Sequence, residues 1–242
     1  MITNSESGTN IEEISEGIFR IHTPVPPSAT SGGFSFNQFL IVDEEPLLFH
    51  SGPRRMFPLV REAVAKVLPL ERMRYFSFSH GESDECGSVN EFLALCPHAV
   101  PLCGEINAMI NGDLFDRPPK ALRHGEALAL GKHRVQWLDA PHLPHAWECG
   151  YLFEDATKTL LCGDLFTQGG AYHPPVTESD ILEPSEAYRK QLDYFSQAKN
   201  VAQLMAPLAQ TRPTTLACMH GSAWKGDGEK LLTELARRLS GD

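Results

Sequence analysis

One short segment, FSHGESDECG at residues 78–87, constrains the fold of this 242-residue chain more than any other. It leaves a run typical of a β-strand and enters a run typical of a helix, with His80, Glu82 and Asp84 at alternating positions and Glu85 directly after them. An extended backbone points alternating side chains the same way. Carboxylates this close repel one another unless a positive charge lies among them, which indicates a metal ion. A polar surface loop without a metal remains the alternative for this segment alone.

Three later segments place further metal-binding side chains directly after apolar, strand-like runs. The segment APHLPH at 140–145 offers the imidazoles of His142 and His145, LCGDLF offers Asp164, and CMHG offers His220. Each residue alone is ordinary, because a polar side chain at a strand end often serves only a structural hydrogen bond. Together with the acidic segment they form four strand-end groups that could converge on one edge of a pair of packed sheets.

The order of predicted elements favours two sheets enclosed by helices. Hairpins come first, then strand–helix units, then hairpins and strand–helix units again, which two sheets between outer helices would accommodate. Apolar residues make up 42% and charged residues 21% of the chain, the balance of an ordinary globular protein. We expect a single α/β domain over residues 1–242, with residues 1–12 as a flexible N-terminal tail.

Composition also excludes several classes of partner. The formal net charge of −10 argues against binding to nucleic acid or to an anionic membrane surface. No apolar run approaches the ~20 residues of a membrane-spanning helix, and the polar first residues do not form a signal peptide. The six cysteines form no Cys-x-x-Cys pair, which is typical of reduced thiols. We therefore expect a cytoplasmic protein.

The order and spacing of the four groups resemble those of the metallo-β-lactamase superfamily. Its usual first motif is H-x-H-x-D-H, and this chain has H-x-E-x-D-E. A Glu at the second position resembles the flavodiiron branch, whose motif is H-x-E-x-D-H, and in particular its stand-alone oxygen-binding di-iron proteins. The resemblance covers residues 16–225. It implies an αβ/βα four-layer sandwich, with two mixed sheets between outer helices.

Carried over by position, the resemblance implies a site for two metal ions. It assigns His80, Glu82 and His142 to one metal, and Asp84 and His220 to the other, with Asp164 bridging both. Glu85 stands where the family has a histidine. It is expected either to coordinate as a carboxylate or to point outward and leave the second metal with fewer ligands.

Other residues near these groups are candidates for supporting roles, and no catalytic residue is expected beyond the metal site. His50 stands where the superfamily has the Asp of a D-x-G turn, and is interpreted either as a hydrogen-bond support for the metal loops or as a structural imidazole. His145 is expected beside the metal ligands without coordinating. Tyr172 and His173, with Trp147 and Phe166, are expected either to line a pocket over the metals or to pack as ordinary loop residues.

The expected donor set favours iron. Three imidazoles with up to four carboxylates are harder ligands than the histidine-rich sets of zinc hydrolases, which shifts the site toward iron or manganese. Both chemistry and resemblance indicate two iron ions, with zinc as the alternative. Iron allows O₂ or NO chemistry, whereas zinc leaves only hydrolysis.

Function follows from the metal and from the source of electrons. Flavodiiron proteins carry a flavodoxin domain with FMN, but this sequence has no segment for one, and no bound FMN is expected. The prediction is a di-iron protein that binds and reduces O₂ or NO with electrons from a separate flavin or rubredoxin-type donor. The alternatives are a zinc-dependent hydrolase of a small ester, thioester or lactone, and a non-catalytic oxygen sensor. A homodimer is compatible with each.

Overall fold

A computed structural model describes residues 1–28 and 32–241. Its first sheet has eight strands in sequence order, antiparallel from the first to the fifth and parallel from the fifth to the eighth. The strands are β1 (Ile2–Asn4), β2 (Thr9–Ser15), β3 (Ile18–Val25), β4 (Phe34–Ile41), β5 (Leu47–Phe49), β6 (Tyr75–Ser77), β7 (Val100–Gly104) and β8 (Lys120–Leu122).

The second sheet has seven strands in the described residues, in the order β13-β15-β14-β12-β11-β10-β9. Its members are β9 (Ala127–Ala129), β10 (Arg134–Asp139), β11 (Gly150–Glu154), β12 (Thr159–Leu161), β13 (Val176–Thr177), β14 (Thr215–Ala217) and β15 (Ala223–Lys225). The neighbours β12 and β14 run parallel, so the loops that follow them leave the same edge of the sheet.

Helices cover the outer faces of both sheets. They are α1 (Phe57–Ala65), α2 (Ser83–Cys86), α3 (Val89–Leu95), α4 (Glu105–Asn111), α5 (Leu182–Leu192), α6 (Val201–Gln210) and α7 (Gly228–Leu239). Apolar residues of α1 and α3 pack on the first sheet, and those of α6 and α7 pack on the second. The predicted four-layer αβ/βα sandwich is confirmed.

Alternation along the strands explains why the sheets form layers. In β12, Leu161 faces the other sheet, whereas Leu160 faces the outer helices. In β4, Phe39 faces the other sheet and Leu40 faces the outer helices. Successive side chains of a strand point to opposite faces, so a strand buried on both sides is apolar throughout. Trp137 is fully buried between the two sheets.

The structure corrects the prediction of a flexible tail over residues 1–12. Strand β2 pairs with β3 along its length, and β1 pairs with β2 at the edge of the sheet. Ile11 and Ile14 are buried, and the Met1 amino group donates to the Ile11 carbonyl at 2.8 Å. Burial of alternate apolar residues, together with backbone pairing, orders a segment whose composition is polar.

In the described residues, no helix is both long and apolar enough to cross a membrane.

Candidate metal centre

The first sheet contributes the acidic segment. The chain leaves β6 at Ser77, continues through the fully buried His80, and enters α2 with Asp84 and Glu85 in its first turn. Glu82 precedes α2 in an extended conformation, and its side chain is half-exposed. A strand followed by a short helix therefore places one imidazole and three carboxylates at the carboxyl end of β6.

The second sheet contributes three loops at the facing edge. Asp164 follows β12, His220 follows the parallel strand β14, and His145 lies in the loop between β10 and β11. Both strand-end turns need a glycine beside the functional residue, since Gly163 has φ +49° and Gly221 has φ +100°. Such left-handed conformations are open to glycine at little cost.

One group of donor atoms surrounds a point near His80. The Nε2 atom of His80 lies 3.6 Å from Glu82 Oε1, 4.0 Å from Glu85 Oε1 and 3.8 Å from Asp164 Oδ2. The Nε2 atom of His145 lies 3.1 Å from Glu82 Oε1 and 3.6 Å from Asp164 Oδ2. One donor atom each from His80, His145 and Asp164 all lie within 4.8 Å of one another, as do donor atoms from His80, Glu82 and Glu85.

A second group of donor atoms adjoins the first through Asp164. His220 Nε2 lies 3.1 Å from Asp164 Oδ1 and 3.6 Å from Asp84 Oδ2. The two oxygens of Asp164 thus face different groups, Oδ2 toward His80 and His145 and Oδ1 toward His220. This is the arrangement expected of a carboxylate that bridges two cations.

Buried atoms without hydrogen-bond partners show that the side chains fit metal ions. Both carboxylate oxygens of Glu85 lack a partner among the described residues, and so do His80 Nε2, His145 Nε2 and Asp164 Oδ1. An unpaired buried carboxylate costs several kcal/mol. Burial, followed by the nearby charges of Asp164 and Asp84, raises the pKa of Glu85 well above its usual range. Cations at the cluster would neutralise this charge, and the fully buried Glu85 excludes the outward-pointing alternative.

Glu82 and Asp164 are held ionised, as metal ligands must be. The close imidazoles of His145 and His80 lower the pKa of Glu82. Burial acts to raise the pKa of Asp164, but the His220 imidazole close to this carboxylate outweighs burial and brings the pKa to about 2. Burial likewise opposes the charged form of His145, yet the contacts to Glu82 and Asp164 leave the pKa of His145 raised.

Each of the three imidazoles is anchored through its other ring nitrogen. The Nδ1 atom lies 2.9 Å from Ser79 Oγ in His80, 3.1 Å from the Tyr194 carbonyl in His145, and 2.7 Å from the Ser35 carbonyl in His220. A carbonyl can only accept, so His145 and His220 carry their proton on Nδ1 and leave Nε2 free. Such anchoring is typical of histidines that bind metals, because it fixes both tautomer and ring orientation.

His50 supports the site through a serine. Its Nε2 atom lies 3.1 Å from Ser79 Oγ, and the same Oγ lies 2.9 Å from His80 Nδ1. His50 is fully buried, and burial lowers its pKa to about 3, so its ring is neutral. Of the two interpretations of His50, the structure favours support of the metal loop.

The structure contradicts the placement of His142 as a ligand, and it favours the ordinary-loop alternative for Tyr172 and His173. His142 is exposed with φ +65°, and no side-chain contact joins it to the cluster within the described ranges; His145 lies there instead. Tyr172 is 73% exposed, and His173 contacts the Gly170 carbonyl at 3.2 Å rather than the cluster. The loop after Asp164 turns these residues away from the donor atoms.

A small cleft beside the second donor group is lined by residues that the sequence did not single out. It encloses about 130 Å³. Tyr194 lies over Asp164, with its hydroxyl 3.4 Å from the Asp164 carbonyl. The cleft is lined by Phe34, Thr167, Tyr188, Leu192 and Tyr194, together with Asp84, Asp164 and His220.

Comparison with solved structures places this fold among flavodiiron proteins. A flavo di-iron protein mutant from Thermotoga maritima superposes with a TM-score of 0.84 at 17% identity, covering 97% of this chain and 62% of that chain. Identity this low shows the fold alone.

Curated relatives match at the sequence level. A diflavin flavoprotein A 2 from Synechocystis is 24% identical over 193 residues, which cover 78% of this chain and 33% of that protein. A rubredoxin-oxygen oxidoreductase from Megalodesulfovibrio gigas is 24% identical over 141 residues, covering 56% of this chain and 34% of that protein. The chain therefore spans about a third of the length of these relatives.

A family model settles the affiliation, because its match covers most of the chain. The match extends over residues 34–221 and is described as ODP family beta lactamase. The range contains both donor groups, the anchoring residues Ser35, Ser79 and Tyr194, and the strands that carry them. The chain belongs to the ODP family of beta lactamase-like proteins.

Proposed function

We propose that this chain is a di-iron protein that binds O₂ or NO and reduces it with electrons from a separate donor. The observation that carries the proposal is the pair of donor groups joined by Asp164, one oxygen facing each group. His80, Glu82 and His145 would hold one ion, and Asp84 and His220 the other. Glu85 adds a further carboxylate beside them.

The chemistry of the donor set supports iron over zinc. Four carboxylates balance the charge of two divalent ions, and three imidazoles complete a mixed oxygen and nitrogen set. Such sets favour iron or manganese, whereas softer or histidine-rich sets suit zinc. The names of the relatives, which include a rubredoxin-oxygen oxidoreductase and an anaerobic nitric oxide reductase flavorubredoxin, support the same chemistry.

The size of the cleft supports a very small substrate. Sites for larger organic ligands enclose ~300–1,000 Å³. The cleft beside Asp84 and His220 encloses about 130 Å³ and has walls of Phe34, Tyr188 and Leu192. A diatomic gas fits this space, which supports O₂ or NO as the substrate.

The chain's own residues would position and protect the reacting ions. Iron supplies the change of valence that O₂ or NO reduction requires. The anchored imidazoles keep their Nε2 atoms aimed at the cluster without reorganisation. Phe34 packs against the His220 ring in a tilted arrangement, with 4.2 Å between centroids, and shields it from water. The proposal includes a reducing, cytoplasmic environment for the protein, because all six cysteines are free thiols.

Metal analysis and a single-turnover reaction test the proposal. The 242-residue chain, purified from iron-supplemented cells, is expected to contain iron. After anaerobic reduction, it should oxidise once on mixing with O₂ or NO, stop, and resume when a flavin reductase and NADH are added. Sustained O₂ consumption without any reductant would contradict the need for a donor. Zinc in the site, with cleavage of a thioester, would establish the hydrolase instead.

A further inference from the structure

Two buried thiols lie side by side beneath the metal centre. Cys162 follows β12 and Cys218 follows β14, and their sulfur atoms are 3.9 Å apart. Both side chains are fully buried in the core between the second sheet and its outer helices. The metal centre as described above does not use either residue.

The backbone around the two thiols permits a disulfide. Leu161 and Ala217 are partners in the parallel register, so Cys162 and Cys218 are the next cross-strand pair. The Cys162 amide donates to the Ala217 carbonyl at 3.1 Å, which keeps the strands paired up to this point. Adjacent strands lie about 4.8 Å apart, within the ~4.4–6.8 Å range of Cα separations in disulfides. A modest change of side-chain rotamers would bring the sulfurs into bonding distance.

The same two strands carry two of the metal ligands. Asp164 lies two residues after Cys162, and His220 lies two residues after Cys218. Two residues of chain span at most about 7 Å, so each thiol is close to a ligand through a short covalent path. Oxidation of the pair and oxidation of the metal centre would therefore occur in one small region of the fold.

The electron balance of O₂ reduction suggests a function for two thiols so close to the metal ligands. Reduction of O₂ to water takes four electrons, whereas two ferrous ions supply two. We propose that Cys162 and Cys218 form an internal redox couple that supplies the other two electrons; this rests on the proposed di-iron function. Two thiols, two ferrous ions, one O₂ and two protons give one disulfide, two ferric ions and two waters. The thiol protons supply the remainder of the four protons that water formation requires.

A thiol count in the iron-loaded protein tests the couple directly. The anaerobically reduced chain, freed of reductant, is mixed with O₂, and its free thiols are alkylated and identified by peptide mass spectrometry. We expect loss of two thiols and a disulfide-linked pair of peptides that contain Cys162 and Cys218. Iron-free protein given the same O₂ should keep all its thiols. A disulfide that forms equally without iron would overturn the coupling.

Oxygen uptake in the presence of catalase provides a second readout. Catalase returns any peroxide to O₂ and water, so net uptake reports the electrons delivered per site. Cys218→Ala and, separately, Cys162→Ala should halve net uptake per metal site. Cys103→Ala is the matched control, since this buried cysteine lies in the first sheet, and it should leave uptake unchanged. Equal uptake in all four proteins would overturn the proposal.

The outcomes also separate this couple from the function on which it rests. Ferric absorption reports iron oxidation independently of the thiols. If the iron oxidises while all six thiols remain, the couple is wrong and the di-iron function stands. If the ferrous protein does not oxidise, the proposed function fails and the couple fails with it. The wild-type thiol count gives its answer even if a variant does not fold.

Discussion

The three histidines of the cluster use both ring nitrogens. Two of the three Nδ1 atoms contact backbone carbonyls, of Tyr194 and Ser35, and the third contacts the Ser79 hydroxyl. Because these partners come from different elements, each ring is fixed by a separate part of the fold. A metal ion would find these three donor atoms oriented before it binds, which lowers the cost of ordering them on binding.

The structure places His145 at the cluster where the sequence predicted His142, and substitution of each histidine tests which of the two binds the metal. His145→Ala removes a donor atom 3.1 Å from Glu82 and 3.6 Å from Asp164, and we expect it to lower the iron content per chain by about half, since metal sites need their full ligand count. His142→Ala is the control and should retain full iron, since His142 is exposed. Both are measured by elemental analysis of protein from the same medium. Loss of iron in the control alone would restore the sequence-based assignment.

His142 and His145 also show why the sequence predicted a histidine ligand in this segment but assigned it to the wrong position. The segment His-Leu-Pro-His offers two imidazoles three residues apart, and both fit a ligand pattern. The choice depends on left-handed backbone at His142 and Ala146, with φ of +65° and +60°. Such conformations are uncommon for residues other than glycine and leave no signal in the sequence. The acidic segment departs from its prediction in a similar way: Glu82 is extended as alternation requires, but Asp84 lies in the first turn of α2 and contacts His220 in the second donor group.

At the scale of elements, the ends of parallel strands assemble the support for the site. Strands β5 and β6 are parallel neighbours, and the residues directly after them bring His50 and Ser79 into contact. Ser79 then holds His80. This device is held by the pairing of the two strands, and α2 adds a contact where the Ser51 amide donates to the Glu85 carbonyl at 2.7 Å.

Removal of the Ser79 hydroxyl tests this device. We expect Ser79→Ala to weaken metal binding ~10–100-fold, the usual effect of losing a hydrogen bond to a ligand histidine. Ser77→Ala is the control in the same strand, since its buried hydroxyl has no hydrogen-bond partner among the described residues. Competition with a coloured chelator gives both affinities. Equal affinities in the two variants would show that the hydrogen bond to His80 does not support the metal.

Elements were predicted well where periodicity was strong and missed where it was not. Strand β6 was expected from the strand-like run before the acidic segment and lies at its predicted position. Helix α6, which spans Val201–Gln210 and contains Pro207, was not predicted, since a proline inside a run favours an interruption. The polar segment 1–12 was misjudged because pairing with a neighbouring strand is a non-local interaction.

At the scale of the whole molecule, the metal centre joins the two sheets. The acidic segment extends from the first sheet, while His145, Asp164 and His220 extend from the second. A ligand that binds only the folded state stabilises it by about 4 kcal/mol when its concentration is 1,000 times its Kd. Ions held between the sheets would therefore stabilise the packing of one sheet on the other.

Chelation tests this contribution to stability. Removal of the metal from the loaded protein should lower the Tm by about 10 °C, given ~2–4 °C for each kcal/mol in a protein of this size. Circular dichroism at rising temperature measures the change, and readdition of ferrous iron under anaerobic conditions should restore the original Tm. An unchanged Tm after confirmed removal would mean that the sheets pack equally well without the ions.

Gly163 and Gly221, which adjoin Asp164 and His220, limit which substitutions the site can accept. A Cβ at Gly163 would lie 2.9 Å from Tyr151 Cε1, and one at Gly221 would lie 2.6 Å from Gln168 Cβ. Both positions should therefore reject substitution as strictly as a ligand does, although neither offers a donor atom. In a saturation mutagenesis survey, intolerance at this edge of the sheet would identify glycines that the backbone conformation requires as well as residues that bind the metal. Variation that adapts the protein to another small molecule is left to the cleft walls, at Phe34, Tyr188 and Leu192.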